Sequence, residues 1–335
     1  MSFNDLTDIF SKGIGTARIG IIGDFCVDIY WHADMTRSEL SRETPHYPLP
    51  VINERMSLGA AGNVAANISA LHPGSIRAIS VYGDDWRGKA LLDLLEKAGI
   101  DTSCFVLCRE RFTNAYCKPM RHGISEVVYE DPRLDFENYE PISAEAEERI
   151  IENLYSVIGE VDILCVSDQF RYGVVTEKVR NEINKLAENG YKIVVDSRYN
   201  IGKYSHCILK PNEVECWRAV YGNEGYLNAD TNEFICAADA LAQKNSSSVF
   251  CTLGEKGSYV TDGSAHFRIA ARKVEGPVDI CGAGDTSLSA FACAVSAGLT
   301  MKEAAEFAGL ASGVTVRKIG QTGTASLEEI INSFS

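Results

Sequence analysis

What most constrains this chain of 335 residues is an alternation of two periodicities. The apolar runs RIGIIGD (18–24), IRAISVYG (76–83), VDILCVSD (161–168), YKIVVDS (191–197), HCILKPN (206–212) and SSVFCTLG (247–254) are too short for helices and read as strands. Between or after them, residues 62–71, 87–99, 143–158, 176–189 and 232–244 repeat their apolar residues at helical spacing. Strand and helix in alternation imply an α/β fold in which a doubly wound, mostly parallel sheet carries helices on both faces. No repeat, low-complexity tract or Pro-, Gly- or Ser-rich linker interrupts the pattern, and a hydrophobic content of 45% supplies a large core. A single domain over residues 1–335 is the expectation.

Charge and composition exclude several classes of partner. The net charge is −14 and the basic residues are scattered singly, so there is no face for a nucleic-acid backbone. No run of about eighteen apolar residues is present, and the N-terminal MSFNDLTDIFSKGIG is acidic and lacks the apolar core of a signal peptide, so a cytoplasmic protein without membrane contact is expected. The 11 cysteines form no Cys-x-x-Cys pair and read as reduced thiols, mostly small core residues.

Two segments break the rhythm. Residues 29–57 and 111–130 carry aromatics, β-formers and turn residues but no helical period, and the second reads as a hairpin with His122-Gly123 at its turn. An open α/β sheet binds ligands at the carboxyl ends of its strands, so the two segments are expected to form a small β lid over that end. The pattern alone fits surface loops equally well.

Four stretches carry chemistry. In PVDICGAGDTSLSAFACAVSAG, Gly282-Ala283-Gly284 lets the backbone turn tightly and approach a ligand, and the helix that follows presents unpaired N–H groups to an anion. Asp285 within its first turn is either a helix cap or a base that takes a proton from an attacking hydroxyl. LGAAGNVAANISAL places Gly59, Gly62 and Asn63 at another helix start, where small residues serve packing or a polar ligand. IGDFCVDIYW ends a strand with Asp24 and Asp28, suited to sugar hydroxyls or to solvent. In KPNEVE, Asn212 and Glu215 share a helix face and can hold waters around Mg²⁺, and CTLGEKGSYV, a strand, turn and strand, brings Thr252, Gly254 and Gly257 near a nucleotide unless it is a plain hairpin.

Together and in this order, from about Arg18 to about Ile330, these stretches resemble the ribokinase-like (PfkB-type) sugar kinase family. DICGAGDTS is similar to the family's Asp-Thr-x-Gly-Ala-Gly-Asp signature. The resemblance implies that Asp285 is the catalytic base, that the amides of Gly282, Ala283 and Gly284 form an anion hole, and that Asp279 lies in a monovalent-cation region. GAAGN resembles the first signature, with Ala60 where its second glycine usually stands, which bears on hinge motion. NEVE and TLGEKG are similar to the Mg²⁺–phosphate and nucleotide segments, and EFAGLASGVTVRKIGQTG to the helix and loop beside the adenine. The implied architecture is a three-layer sandwich with a β lid, and the implied cofactors are ATP and Mg²⁺, with K⁺ a candidate.

Within the family, GDFCVDIYW, SRETPHYPLPV, GNVAANISAL, YGDDWRGKALLDLLEKAGID, RLDFEN and SDQFRYGVVT look like segments of the D-glycero-D-manno-heptose 7-phosphate kinases. On that likeness the substrate is a sugar or sugar phosphate, D-glycero-β-D-manno-heptose 7-phosphate at O1 first, then ribose, fructose or a nucleoside. Asp28, Gly59, Asn63, Asp24, Arg133 and Asp168 form the expected sugar-side set. Arg37, Arg42, Arg133 and Arg198 are candidates for a substrate phosphate, or are surface ion pairs. Ser38 to Leu40 look inserted, NAYCKPMRHG lacks the basic pattern expected after its Thr, and the chain ends at Ser335 without a cytidylyltransferase-like domain, so a second activity is not expected. Cys281, ahead of a helix, is expected to have a lowered pKa. A non-catalytic nucleotide or sugar sensor on the same fold is the rival reading. Exposed lid edges suggest a homodimer through the lid.

Overall fold

The computed structural model describes residues 13–333. The chain begins with β1 (Arg18–Gly23), β2 (Phe25–Asp34), β3 (Val51–Ala60), α1 (Ala61–Ser69), β4 (Ser75–Tyr82), α2 (Trp86–Lys97), β5 (Asp101–Leu107), β6 (Ala115–His122), β7 (Val128–Glu130) and β8 (Leu134–Phe136). It continues through α3 (Ala144–Ile158), β9 (Ile163–Asp168), α4 (Glu177–Glu188), β10 (Ile193–Ser197), β11 (Ile208–Leu209), α5 (Glu213–Tyr221), α6 (Thr231–Asn245) and β12 (Ser248–Thr252). The last elements are β13 (Ser258–Thr261), β14 (His266–Ile269), α7 (Ala283–Ser296), α8 (Met301–Thr315) and α9 (Leu327–Asn332).

The expected α/β sheet is present, with nine strands in the order β14-β13-β12-β11-β10-β9-β1-β4-β5, parallel except at β12–β13–β14. Its central strands are buried on both faces, which is why β1, β9 and β10 read as unbroken apolar runs. The helices read as they do because each has one face to bury: in α3, Ser143 caps the first turn, and Ile150, Leu154 and Val157 meet the core. One apolar layer lies between the sheet and α1, α2, α7 and α8, where Phe250 of β12 stacks on Phe291 of α7 at 4.6 Å. The other lies beneath α3, α4 and α6. β11 keeps only two residues of the run 206–212, since Pro211 has no N–H to give the ladder and Asn212 already caps α5.

β1 leads through β4 to one side of the sheet, while β9 to β12 build outward on the other. Ligand crevices form outside the carboxyl ends of strands where the order reverses, here at β1 and β9. There β1 passes through Asp24 straight into β2 and leaves the main sheet for a second one of five strands, in the order β3-β2-β6-β7 with β8 on β6. This small sheet spans 25–60 and 115–136; the first part reaches beyond the rhythm break at 29–57, because apolar β2 residues such as Val27 belong to the shared core, and the second is shifted along the chain from 111–130. β6 and β7 form the expected hairpin, but His122 still belongs to β6 and faces Val128, so the turn lies in the five-residue connection 123–127 and not at His122-Gly123. No described helix is long and apolar enough to cross a membrane.

Candidate active site

Two helix N-termini meet at the crevice. Gly282, at φ 78°, opens α7, and a Cβ there would lie 2.9 Å from the Asn63 Nδ2 of α1, so glycine is required both by conformation and by room. Ala283 N–H donates to Ile280 O at 3.2 Å, while Gly282 and Gly284 find no backbone acceptor among the described residues. Two amides of the turn, those of Gly282 and Gly284, are thus left for a ligand among the described residues. Asp285, in the third helical position, makes no cap bond, which removes the cap alternative. Instead its Oδ2 accepts from Asn63 Nδ2 at 2.7 Å, and Asn63 Oδ1 is held by Asn67 Nδ2 at 3.3 Å. Asn67 in turn accepts from Thr286 Oγ1 at 2.9 Å, so a chain of amides rivets the two helices and orients the carboxylate. Burial pushes Asp285 up to about 7, with Asn63 opposing the shift. Such a carboxyl is poised as a base at neutral pH.

Asp28 of β2 faces the same space from the small sheet. Its Oδ2 meets Lys118 Nζ of β6 at 3.3 Å, and Lys118 also donates to Tyr30 OH at 3.0 Å. Its Oδ1 is buried without a partner, and a Cβ on Gly59 would lie 2.5 Å from it and 2.6 Å from Cys26 Sγ. Only glycine at position 59 leaves room beside that oxygen. Burial pulls Lys118 down, but Asp28 and Tyr30 outweigh it and hold the ammonium above its usual range.

On the other flank, buried Lys210 Nζ pairs with Asp196 Oδ2 at 2.7 Å and lies 3.8 Å from where a Cβ on Gly284 would be. Asn212 and Glu215 do share the start of α5, but as a capping box: Glu215 N–H donates to Asn212 Oδ1 at 2.8 Å and Asn212 N–H to Glu215 Oε2 at 2.9 Å. Burial and then the charge of Asp196 push Glu215 up to about 7, against the pull of Lys210. Asp196, Glu215 and Asp285 crowd one ammonium, an excess of negative charge that a dication would relieve. No group of three or more His, Cys, Asp or Glu side chains forms a ready metal cluster among the described residues. Thr252 bridges to Asn212, Gly254 faces open space at φ 57°, and Gly257, at φ 91°, is required because the backbone of Ile269 to Ala271 packs against it. Beyond it a cavity of about 390 Å³ opens between β14 and α8, lined by Ile269, Ala270, Gly309 and Leu310 with Arg268, Arg272, Lys302 and Glu306.

Several expected residues do other work. Asp24 accepts the backbone N–H groups of Gln169, Phe170 and Val174 at 2.7–2.8 Å, so from its buried position it holds the 169–174 loop. Asp168 is buried and takes Ser197 Oγ, Asn200 Nδ2 and Tyr204 OH on one oxygen, a structural knot behind the crevice. Asp279 ties its own loop to the next, accepting from Cys281 and Gly320 N–H groups. Arg37 is 70% exposed and paired with Asp34, and Arg198 acts on Glu215 at the other flank. Arg133 lies over the Tyr116 ring, 4.0 Å from its centroid. Burial, with Asp279, Asp28 and Asp285 behind it, pushes the Cys281 thiol up, which overturns the expected lowering despite the helix and Lys118. Lys118, Lys210 and Asp196 escaped the sequence reading because none belongs to a local motif of its own chemistry.

Residues 29–328 match the model of the pfkB family carbohydrate kinases. The chain belongs to that family. It is 32% identical over 342 residues to the bifunctional protein HldE of Pelobacter propionicus, covering 100% of this chain and 66% of the relative. The chain thus spans about two thirds of the length of that curated relative. Among solved structures, phosphofructokinase-2 of Escherichia coli in its tetrameric inhibited form superposes with a TM-score of 0.74 at 18% identity, covering 95% of this chain and 98% of that one. The Arabidopsis thaliana ribokinase complexed with ribose and ATP gives 0.68 at 19%, covering 96% and 99%. At these identities the two structures establish the ribokinase-like fold.

Proposed function

We propose that this pfkB family member transfers the γ-phosphoryl group of ATP to a sugar hydroxyl, with D-glycero-β-D-manno-heptose 7-phosphate at O1 as the acceptor. The observation that carries the reading is Asp285, held by Asn63 beside the two free amides of the Gly282–Gly284 turn, with its carboxyl raised to about 7. Asp28 Oδ1 and Gly59 orient the sugar so that its hydroxyl reaches Asp285, which takes the proton as the phosphoryl group arrives. The amides of Gly282 and Gly284, with Lys210 beside them, face the charge on the transferred group. Asp196 and Glu215 are the residues that would hold a Mg²⁺ brought with the triphosphate, which would supply charge neutralisation there, and the cavity between β14 and α8 would take the adenine. The small sheet serves as the lid, excluding water that Asp285 would otherwise activate. Segments shared with the heptose 7-phosphate kinases support the finer substrate.

The test is ADP release, by a coupled assay, over heptose 7-phosphate, free heptose, ribose, fructose, fructose 6-phosphate and a nucleoside. Turnover confined to a sugar outside the heptoses removes the finer reading, and no turnover on any of them removes the kinase.

A further inference from the structure

The face of the small sheet that carries Asp28 also carries more cationic and unpaired polar groups than holding a neutral sugar requires. Side chains alternate across a strand, so β2 turns Cys26, Asp28 and Tyr30 to the crevice and Val27 and Ile29 to the core. Register then decides which residues join them. Asp28 pairs with Ser57 of β3 and Tyr116 of β6, and Tyr30 with Arg55 and Lys118, so two cross-strand rows lie side by side on one face.

The first row holds two buried polar atoms without a partner, Asp28 Oδ1 and Ser57 Oγ, direct neighbours across the strands. The second puts both its cations on one aromatic ring: Arg55 Cζ lies 3.8 Å and Lys118 Nζ 4.7 Å from the Tyr30 centroid. Lys118 spends part of its charge on Asp28. Arg55 is half-buried and makes no ion pair among the described residues. A guanidinium stacked on a ring, with no carboxylate bonded to it and only the longer-range field of Asp28, is free to take an anion from outside, and its planar fork matches a phosphate. Arg133 stands over Tyr116 at the edge of the same face, its own charge answered by Asp135.

We infer that this face recognises a sugar carrying a phosphate monoester: Arg55 and Lys118 hold the phosphate above the Tyr30 row, and Asp28 Oδ1 with Ser57 Oγ hold hydroxyls of the ring. The inference rests on the kinase reading for its choice of a sugar and adds the residues that select a phosphorylated one. Arg55 and Ser57 belong to no motif, and only the β2–β3 register brings them to Asp28.

The experiment measures ADP release and, separately, binding by calorimetry without ATP, for heptose 7-phosphate against free heptose, in the native protein and in Arg55→Gln and Arg55→Lys. Native protein binds the phosphate ester more tightly. Arg55→Gln raises its KM by about 10-fold to 100-fold, the cost of a lost charged hydrogen bond, with kcat and the KM for ATP nearly unchanged and free heptose unaffected; Arg55→Lys recovers part of the loss. An unchanged ATP KM shows that the variant is folded. Equal or undetectable binding of the two sugars by the native protein, or an Arg55→Gln KM equal to native, overturns the inference. Tighter binding of the ester that Arg55→Gln abolishes, without ADP release from any sugar, keeps it and sinks the kinase instead.

Discussion

Asp285 is the residue on which chemistry and stability pull in opposite directions. Its folded pKa of about 7 lies above the ordinary carboxylate value, so the native state binds the extra proton between about pH 4 and 7 and loses stability as pH rises through that window. In the proposed reaction the ionised carboxylate is the working form, and its cost is carried by the fold. Asp285→Asn keeps an oxygen for Asn63 Nδ2 and removes the charge, so it is expected to stabilise the fold at pH 8 by on the order of 1–2 kcal/mol, allowing for partial exposure. In the same variant kcat falls by about 10²–10⁴ while ATP binding persists. Urea denaturation and single-turnover kinetics on one preparation check both, and a variant that is inactive because it is unfolded fails the first. Native kcat should rise with pH to a plateau above about 7; a profile flat from pH 5 to 8 would assign the base elsewhere.

At the scale of elements, the joint between β3 and α1 is under strain. Ala60 sits at φ 49°, ψ −125°, a region that glycine occupies freely and a Cβ does not. Strain of this kind costs about 1–3 kcal/mol, more than the about 0.5–1 kcal/mol that glycine loses in chain entropy, so Ala60→Gly should stabilise the protein by about 1 kcal/mol. The signature reading noticed the missing glycine from the sequence, and the structure adds the sign of its effect. Denaturant midpoints decide it, since a destabilised Ala60→Gly would mean the joint prefers its Cβ. The Asn212–Glu215 pair teaches the reverse lesson. Spacing of three on a helix put the two on one face, as expected, yet the same spacing is that of a capping box, and the backbone N–H groups claim the oxygens first.

For the whole molecule, the small sheet leaves edge strands β3 and β7 open, with Val51, Ile52, Val128 and Tyr129 exposed along them. Unpaired edges with apolar side chains favour a second copy, so the protein is expected to be a dimer by light scattering, and Ile52→Lys to shift it toward monomer. A native monomer at micromolar concentration would discard that arrangement. The main sheet was legible because strand and helix declare themselves by the spacing of neighbours along the chain, and the turn from Gly282 to Asp285 at the start of α7 was legible because it is made from consecutive residues. Asp24 and Asp168 had the right residue type at the right strand ends, but both carboxylates are engaged by segments that fold back on them, for Asp24 up to 150 positions away. Lys118, Arg55 and Ser57 came to Asp28 only through pairing across strands distant in sequence, and Lys210 came to Gly284 through the packing of α7 on the sheet. The sequence by itself determined the layers and the glycine turn ahead of α7, since both arise from short-range periodicity and local backbone freedom. Which side chains surround that turn was decided by register and burial, properties that exist only once distant segments are in contact.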